Sequence, residues 1–243
     1  MTLTVGSLFS GIGGLDLGLE RAGMNVIWQS EIDPYCNKVL KKHWPEVTNH
    51  GNIKDIDWRT VQRPDIICGG YPCQPFSTAG KRKGTDDPRH LWPWVRDAIS
   101  ALRPKYAILE NVRGHVSMGG LQVIGELAEI GYDAEWEIVS AASQGAPHVR
   151  ERLFILAYPQ RQWNGQHRQS TDVTDVGKFW RTDDRREKGN ERGEWWSHQP
   201  NLGRVVYGVP NRVDKLRGLG NAVVPQVAEY IGRLVMAAEL QNS

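Results

Sequence analysis

Apolar and polar positions alternate between two periods along the first 157 residues. "LTVGSLF", "NVIWQSE", "DIICGG" and "YAILENV" are short apolar runs bounded by polar or glycine-bearing turns, as in strands buried within a sheet. A helix-length segment follows each. "GGLDLGLERAG" is closed by Gly23, and "PYCNKVLKKHW" opens at Pro34 and is stopped by Pro45. "LWPWVRDAISAL" ends before Pro104, and "LQVIGELAEIG" ends at Gly131. Two further strands, "AEWEIVSA" and "RLFILAY", are joined by a loop and predict an antiparallel hairpin at one edge. Four strand–helix units in succession predict an α/β fold, a doubly wound, mostly parallel sheet with helices on both faces.

From Tyr158 to about Arg204 the periodicity is lost. It returns in "PQVAEYIGRLVMAAEL", where Val227, Tyr230, Ile231, Leu234, Val235 and Ala238 fall at helical spacing. A helix with one apolar stripe needs a host, and the expected host is the same sheet. No internal repeat or low-complexity tract interrupts the chain.

Composition narrows this picture only slightly. The 243 residues suit one large domain or a core with a small appendage, and 40% hydrophobic with 24% charged residues is a globular balance. No apolar run approaches the roughly 18 residues of a membrane span. "MTLTVGSLFSGIGG" lacks the basic start and small-residue cleavage site of a secretory signal, so a cytoplasmic protein is expected. Cys36, Cys68 and Cys73 form no CxxC pair, which argues against a disulfide scaffold and against a metal cluster. The net charge is only +2, but residues 158–217 hold twelve Lys/Arg against eight Asp/Glu, with Trp163, Trp180, Trp195 and Trp196 among them. Such a segment suits a polyanion surface, or equally a solvated loop with tryptophans tucked onto a core.

In a parallel sheet, ligands sit past the carboxyl ends of the strands. The first strand delivers Phe9-Ser10-Gly11-Ile12-Gly13-Gly14, a turn that lets backbone approach a ligand at a helix N-terminus or simply turns tightly. The second delivers Glu31, placed for ribose hydroxyls or as a charge at a helix start. The third delivers Pro72-Cys73-Gln74. Cys73 lies beyond the strand, followed by a loop with Lys81, Arg82 and Lys83 between Gly80 and Gly84, a setting in which a thiolate can be stabilised. The fourth delivers Glu110-Asn111-Val112. A carboxyl at a buried strand end faces desolvation, which raises its pKa and makes it a proton donor; a helix cap or an ion pair with Arg113 is the alternative. Arg150 and Arg152, two apart at the start of an edge strand, project to one face and suit phosphate or a base oxygen, unless they are merely an exposed pair.

In order along the chain, "SLFSGIGGLDLGLERAG", "GGYPCQPFS", "LENV", "APHVRERLFIL" and "GLGNAVVPQ" resemble the motifs of the cytosine-5 DNA methyltransferase family. The resemblance covers Leu3 to Ala157 and again Gly208 to about Gly232. It implies a Rossmann-like methyltransferase domain in residues 1–157, a short, irregular target-recognition region in 158–207, and a C-terminal return in 208–243. It implies S-adenosyl-L-methionine as methyl donor and double-stranded DNA as partner, with no metal and no membrane, acting as a monomer. Cys73 would attack carbon-6 of a flipped-out cytosine, Glu110 would bind and protonate the ring, and Val112 would line the base pocket. Arg152 would contact the base oxygen, with Arg150 beside it. The matching donor-binding positions are Phe9, Ile12, Gly14, Glu31, Ile32, Asn52, Ile53, Pro72, Leu91 and Asn221. Three positions depart from the pattern: Ser7 and Asn52 stand where aspartates are usual, and His148 where glutamine is. A catalytically weak or inactive DNA-binding relative, and a nucleotide-cofactor oxidoreductase on the same sheet, are the competing readings.

Overall fold

The computed structural model of the chain describes residues 2–72, 91–160 and 212–241. Its centre is a seven-stranded sheet in the order β3-β2-β1-β4-β5-β7-β6. The strands are β1 (Thr4–Leu8), β2 (Asn25–Ser30), β3 (Thr48–Asn49), β4 (Ile66–Gly70), β5 (Tyr106–Val112), β6 (Tyr132–Ser140) and β7 (Glu151–Pro159). The first five are parallel, and β7 runs antiparallel to both β5 and β6. The helices are α1 (Gly14–Arg21), α2 (Pro34–His43), α3 (Trp92–Leu102), α4 (Gly120–Glu129), α5 (Arg212–Asn221) and α6 (Pro225–Gln241). Among the described residues, no helix is long and apolar enough to cross a membrane.

The doubly wound sheet and its antiparallel hairpin match the pattern of the sequence, with local differences. The returning strand β7 is inserted between β5 and β6, so β6 is the edge and Arg152 sits on an inner strand. Two residues of β3 pair with β2 where the sequence offers too short a run to read. Helix α5 is a second element the periodicity did not predict: its sequence "RVDKLRGLGN" carries two glycines and only three apolar residues.

Alternation along the central strands divides the core between the two faces. Val5, Cys68, Ile108, Phe154 and Leu156 face one cluster, which contains Leu15 and Leu19 of α1 and Val227, Ile231 and Val235 of α6. Ile67, Leu109, Leu153 and Ile155 face the other, under Val95, Ile99 and Leu102 of α3 and Val123 and Leu127 of α4. Local chemistry starts the elements where the sequence suggests: Asp33 accepts from the backbone N–H of Tyr35 and Cys36 at 2.9 and 3.0 Å, with Pro34 at the first position of α2.

Helix α6 packs on α1 and on the sheet face that α1 also covers. The two helices meet along a seam of small residues. A methyl group at Gly18 would lie 2.3 Å from the Pro225 carbonyl oxygen and 2.4 Å from Ala228 Cβ, and one at Gly232 would lie 2.7 Å from Ala22 Cβ. Backbone and packed Cβ atoms cannot yield cheaply, so Gly18→Ala is expected to destabilise the fold by about 1–3 kcal/mol through overpacking. A denaturant midpoint equal to that of the wild type would show that the helices do not approach this closely.

Candidate active site

The chain runs from β1 outward to β2 and β3, then crosses back to β4 on the other side of β1. The carboxyl ends of β1 and β4 therefore flank the switch-point crevice in which open α/β sheets bind ligands. After β1 the backbone enters the left-handed region at Phe9 (φ 52°), Gly11 (φ 56°) and Gly13 (φ 82°). The Phe9 geometry is costly for a residue with a Cβ, and it is held from both sides. Gly13 N–H donates to Ser10 O at 2.8 Å, and Gly11 N–H donates to Glu31 Oε2 at 2.8 Å.

Glu31 thus joins the end of β2 to the glycine turn. Its other oxygen accepts from Ile32 N–H and Asp33 N–H at 2.8 and 2.7 Å. Asn52 lies in the same corner, because Ser30 Oγ at the end of β2 donates to Gly51 O at 2.7 Å. Its side-chain oxygen accepts from Lys54 N–H at 3.2 Å and, as a carbonyl, keeps a second lone pair. Ile53 is buried beneath, whereas Ile32 is 66% exposed at the mouth. Ile12 approaches Gly218 of α5, Gly14 lies against the Val223 backbone, and Asn221 ends α5 nearby. Pro72 is exposed two residues past β4, and half-buried Leu91 immediately precedes α3.

Beneath the turn lies a feature missed in the sequence. Asp16 is fully buried and accepts from Ser7 Oγ at 2.5 Å and from Gln29 Nε2 at 2.6 Å, while Ser10 Oγ donates to Ser7 Oγ at 2.9 Å. Burial pushes the Asp16 carboxyl up to about 6, against the pull of those hydrogen bonds. The Ser7 hydroxyl near the end of β1 is thus committed to a carboxylate that α1 supplies. A charged residue in the otherwise apolar "GGLDLGL" was the available signal. Cys68, inside β4, is buried and its thiol is pushed well up, which makes it inert.

Across the crevice, Glu110 is 8% exposed near the end of β5. It stands beside Gly70 in register, and a methyl group on Gly70 would lie 2.6 Å from Glu110 Oε2. Burial pushes the Glu110 carboxyl up to about 7, with Arg152 and then Arg150 drawing it down. Arg152 Nε meets Glu110 Oε1 at 2.9 Å, reaching it diagonally from the position opposite Val112. Arg113, the alternative partner, pairs instead with Glu151 at 2.5 Å. Arg150 points elsewhere, donating to the Gly220 and Ala222 carbonyls at 2.7 and 2.6 Å. Val112 is 44% exposed at the strand end, an apolar surface beside the carboxyl.

Two hydrogen bonds fix the segment leading out of β4. Asn111 Nδ2 donates to Tyr71 O at 3.1 Å, and Tyr71 Oη meets His115 Nε2 at 2.8 Å. His115 is buried and its ring is pulled down to about 4, so it is neutral near pH 7. These contacts fix the chain at Tyr71, two residues before Cys73. Cys73 itself, the loop to residue 90 and most of the basic 158–217 segment lie outside the described residues. No cluster of three metal-ligating side chains occurs among the described residues.

The strand order, the glycine turn at the switch point and the carboxyl at the end of β5 together define a Rossmann-like α/β fold with a ligand crevice at its switch point. Comparison with known proteins narrows it: the family model for C-5 cytosine-specific DNA methylase matches residues 3–194, and the chain belongs to that family. The type II methyltransferase M.MthTI of Methanothermobacter thermautotrophicus is 36% identical over 170 residues, covering 65% of this chain and 49% of that protein. The chain thus spans about half the length of the curated relatives it matches. Among solved structures, the Entamoeba histolytica methyltransferase EhMeth superposes with a TM-score of 0.57 at 26% identity, covering 68% of this chain and 55% of that one. A putative DNA modification methyltransferase encoded within a prophage of E. coli gives 0.54 at 28% identity, covering 65% of this chain and 47% of that one.

Proposed function

We propose that the protein transfers a methyl group from S-adenosyl-L-methionine to carbon-5 of a cytosine flipped out of double-stranded DNA, through a covalent adduct on Cys73. The observation that carries this reading is Glu110: a buried carboxyl raised to about 7, steered by Arg152 and paired in register with Gly70, three residues before Cys73 in the sequence. The donor side is supported by the left-handed turn at Phe9, Gly11 and Gly13, by Glu31 bound to that turn, and by exposed Ile32 as an apolar surface for a purine ring. Phe9, Ile12, Gly14, Glu31, Ile32, Asn52, Ile53, Pro72, Leu91 and Asn221 would hold the donor, which supplies an electrophilic methyl group.

Carbon-5 of cytosine is a poor nucleophile while the ring is aromatic. The Cys73 sulfur bonds to carbon-6 as the Glu110 carboxyl delivers a proton to the ring nitrogen, which leaves an electron pair available at carbon-5. Once carbon-5 has taken the methyl group, with the donor's S–CH3 bond broken and S-adenosylhomocysteine released, loss of the carbon-5 proton to water returns the pair to the ring. The bond to Cys73 then breaks and Glu110 recovers its proton. Arg152 orients the carboxyl and meets the base oxygen, and Val112 lines the pocket. Residues 1–157 form the catalytic domain, 158–207 contact the recognised bases, and 208–243 complete the donor pocket.

Bisulfite sequencing of DNA from cells expressing the full chain tests the reading. Unconverted cytosines are expected at one short recurring sequence. Complete conversion, together with no labelled methyl incorporated into DNA by the purified protein, would overturn it.

A further inference from the structure

Arg150 and Arg152 are neighbours in sequence with divergent partners. Arg152 serves Glu110, whereas the Arg150 guanidinium reaches across 70 residues of chain to the carboxyl end of α5. The last carbonyls of a helix have no partner within it, and a cation there also complements the helix dipole. Gly220 O and Ala222 O are two such groups, and one terminal nitrogen of Arg150 donates to both. The Arg150 Nε atom is buried with no partner. A guanidinium that leaves one donor unsatisfied is aimed by its remaining contacts, and here these are the two carbonyls. The backbone at Arg150 is itself in the left-handed region (φ 27°), braced by Ala141 N–H donating to Val149 O at 3.0 Å and Ser140 Oγ donating to the same oxygen at 2.7 Å.

The carbonyls that Arg150 holds flank Asn221. Immediately after them, Val223 lies against the first residue of α1: a methyl group on Gly14 would be 2.4 Å from Val223 O. One turn earlier, Gly218 meets Ile12. The 218–223 segment is therefore wedged between the glycine turn and the start of β7, and Arg150 is its fixed point on the β7 side.

We propose that Arg150 is a positioning residue for the methyl-donor pocket, holding the Gly220–Ala222 turn against the Gly14 end of α1 so that Asn221 is preset for the donor. This rests on the donor-binding reading above. It moves Arg150 from the base side of the crevice to the donor side and leaves the base to Arg152. Preordering a binding segment raises affinity without adding a contact to the ligand.

The test measures binding of S-adenosylhomocysteine to the full-length protein by calorimetry, for wild type, Arg150→Met and Arg150→Lys, alongside single-turnover methyl transfer at saturating donor. Arg150→Met is expected to weaken binding about tenfold or more while the single-turnover rate changes by less than about threefold. Arg150→Lys, which keeps a donor for one carbonyl, is expected to recover part of the loss. A merely structural role would lower the melting temperature of both variants without altering the dissociation constant of the folded protein, and that result overturns the proposal. So does unchanged binding with a slowed single-turnover rate, which would return Arg150 to the base. If Arg150→Met does not fold, Arg150→Lys decides alone: wild-type affinity overturns the proposal. A wild-type protein that binds no S-adenosylhomocysteine would bring down the donor-binding reading itself, and the role of Arg150 with it.

Discussion

Glu110→Gln lowers the single-turnover rate of methyl transfer by roughly 100-fold or more, the usual scale for removing a general acid. The substitution suits the question because it is nearly isosteric. Its amide oxygen still accepts from Arg152 Nε, and its small volume change does not disturb the contact with Gly70. What disappears is the dissociable proton. In the wild type that proton leaves at about pH 7, because burial outweighs the attraction of Arg152 and Arg150. In the proposed mechanism the acid form is the active one, so the wild-type rate should decline as pH rises through about 7, provided that enzyme is in excess and donor saturating. The glutamine variant should lose that limb along with its rate. Equal rates, or an unchanged alkaline limb in the variant, would remove Glu110 from the proton transfer.

Cys73→Ala is expected to reduce methyl transfer to background while the protein still binds S-adenosylhomocysteine. The reasoning is electronic rather than geometric. Without a bond at carbon-6, the ring keeps its aromaticity and carbon-5 has no electron pair to offer, so no residual pathway of useful rate remains. A duplex carrying 5-fluorocytosine at the methylated position sharpens the test. Fluorine cannot leave as a proton does, so the wild type should accumulate a stable adduct, visible as a mass increase of the protein, and the alanine variant should not. Turnover by the variant near the wild-type level would exclude covalent catalysis at this sulfur.

Much of the fold was legible because strand and helix periods are clean over the first 157 residues. What escaped had specific causes. Gly69 and Gly70 read as the last residues of a strand and do close β4, but the sequence alone does not show why both are glycine. They are glycines because the Leu8 carbonyl and the Glu110 carboxyl approach them too closely for a side chain. Helix α5 was invisible because its order comes from packing on Ile12 and α2 and from Arg150 at its end, not from its own apolar pattern. In the candidate site, Glu110 and Arg152 were readable as types at strand ends, but their pairing required the antiparallel insertion of β7 beside β5. Asp16 was missed because it reads as a surface residue on a helix, and only the buried serine and glutamine opposite explain it. The partnership of Tyr71 with His115 joins residues 44 apart and left no local trace.

The close fit between α1 and α6 has a consequence for biosynthesis. A ribosome that has released only the first 160 residues has made every strand of the sheet. It has not yet made the helix whose Val227, Ile231 and Val235 seal one face. Until then the nascent chain displays a greasy, glycine-floored groove beside the glycine turn that follows β1. Chains cut short before Pro225 should be the ones that chaperones retain and proteases clear.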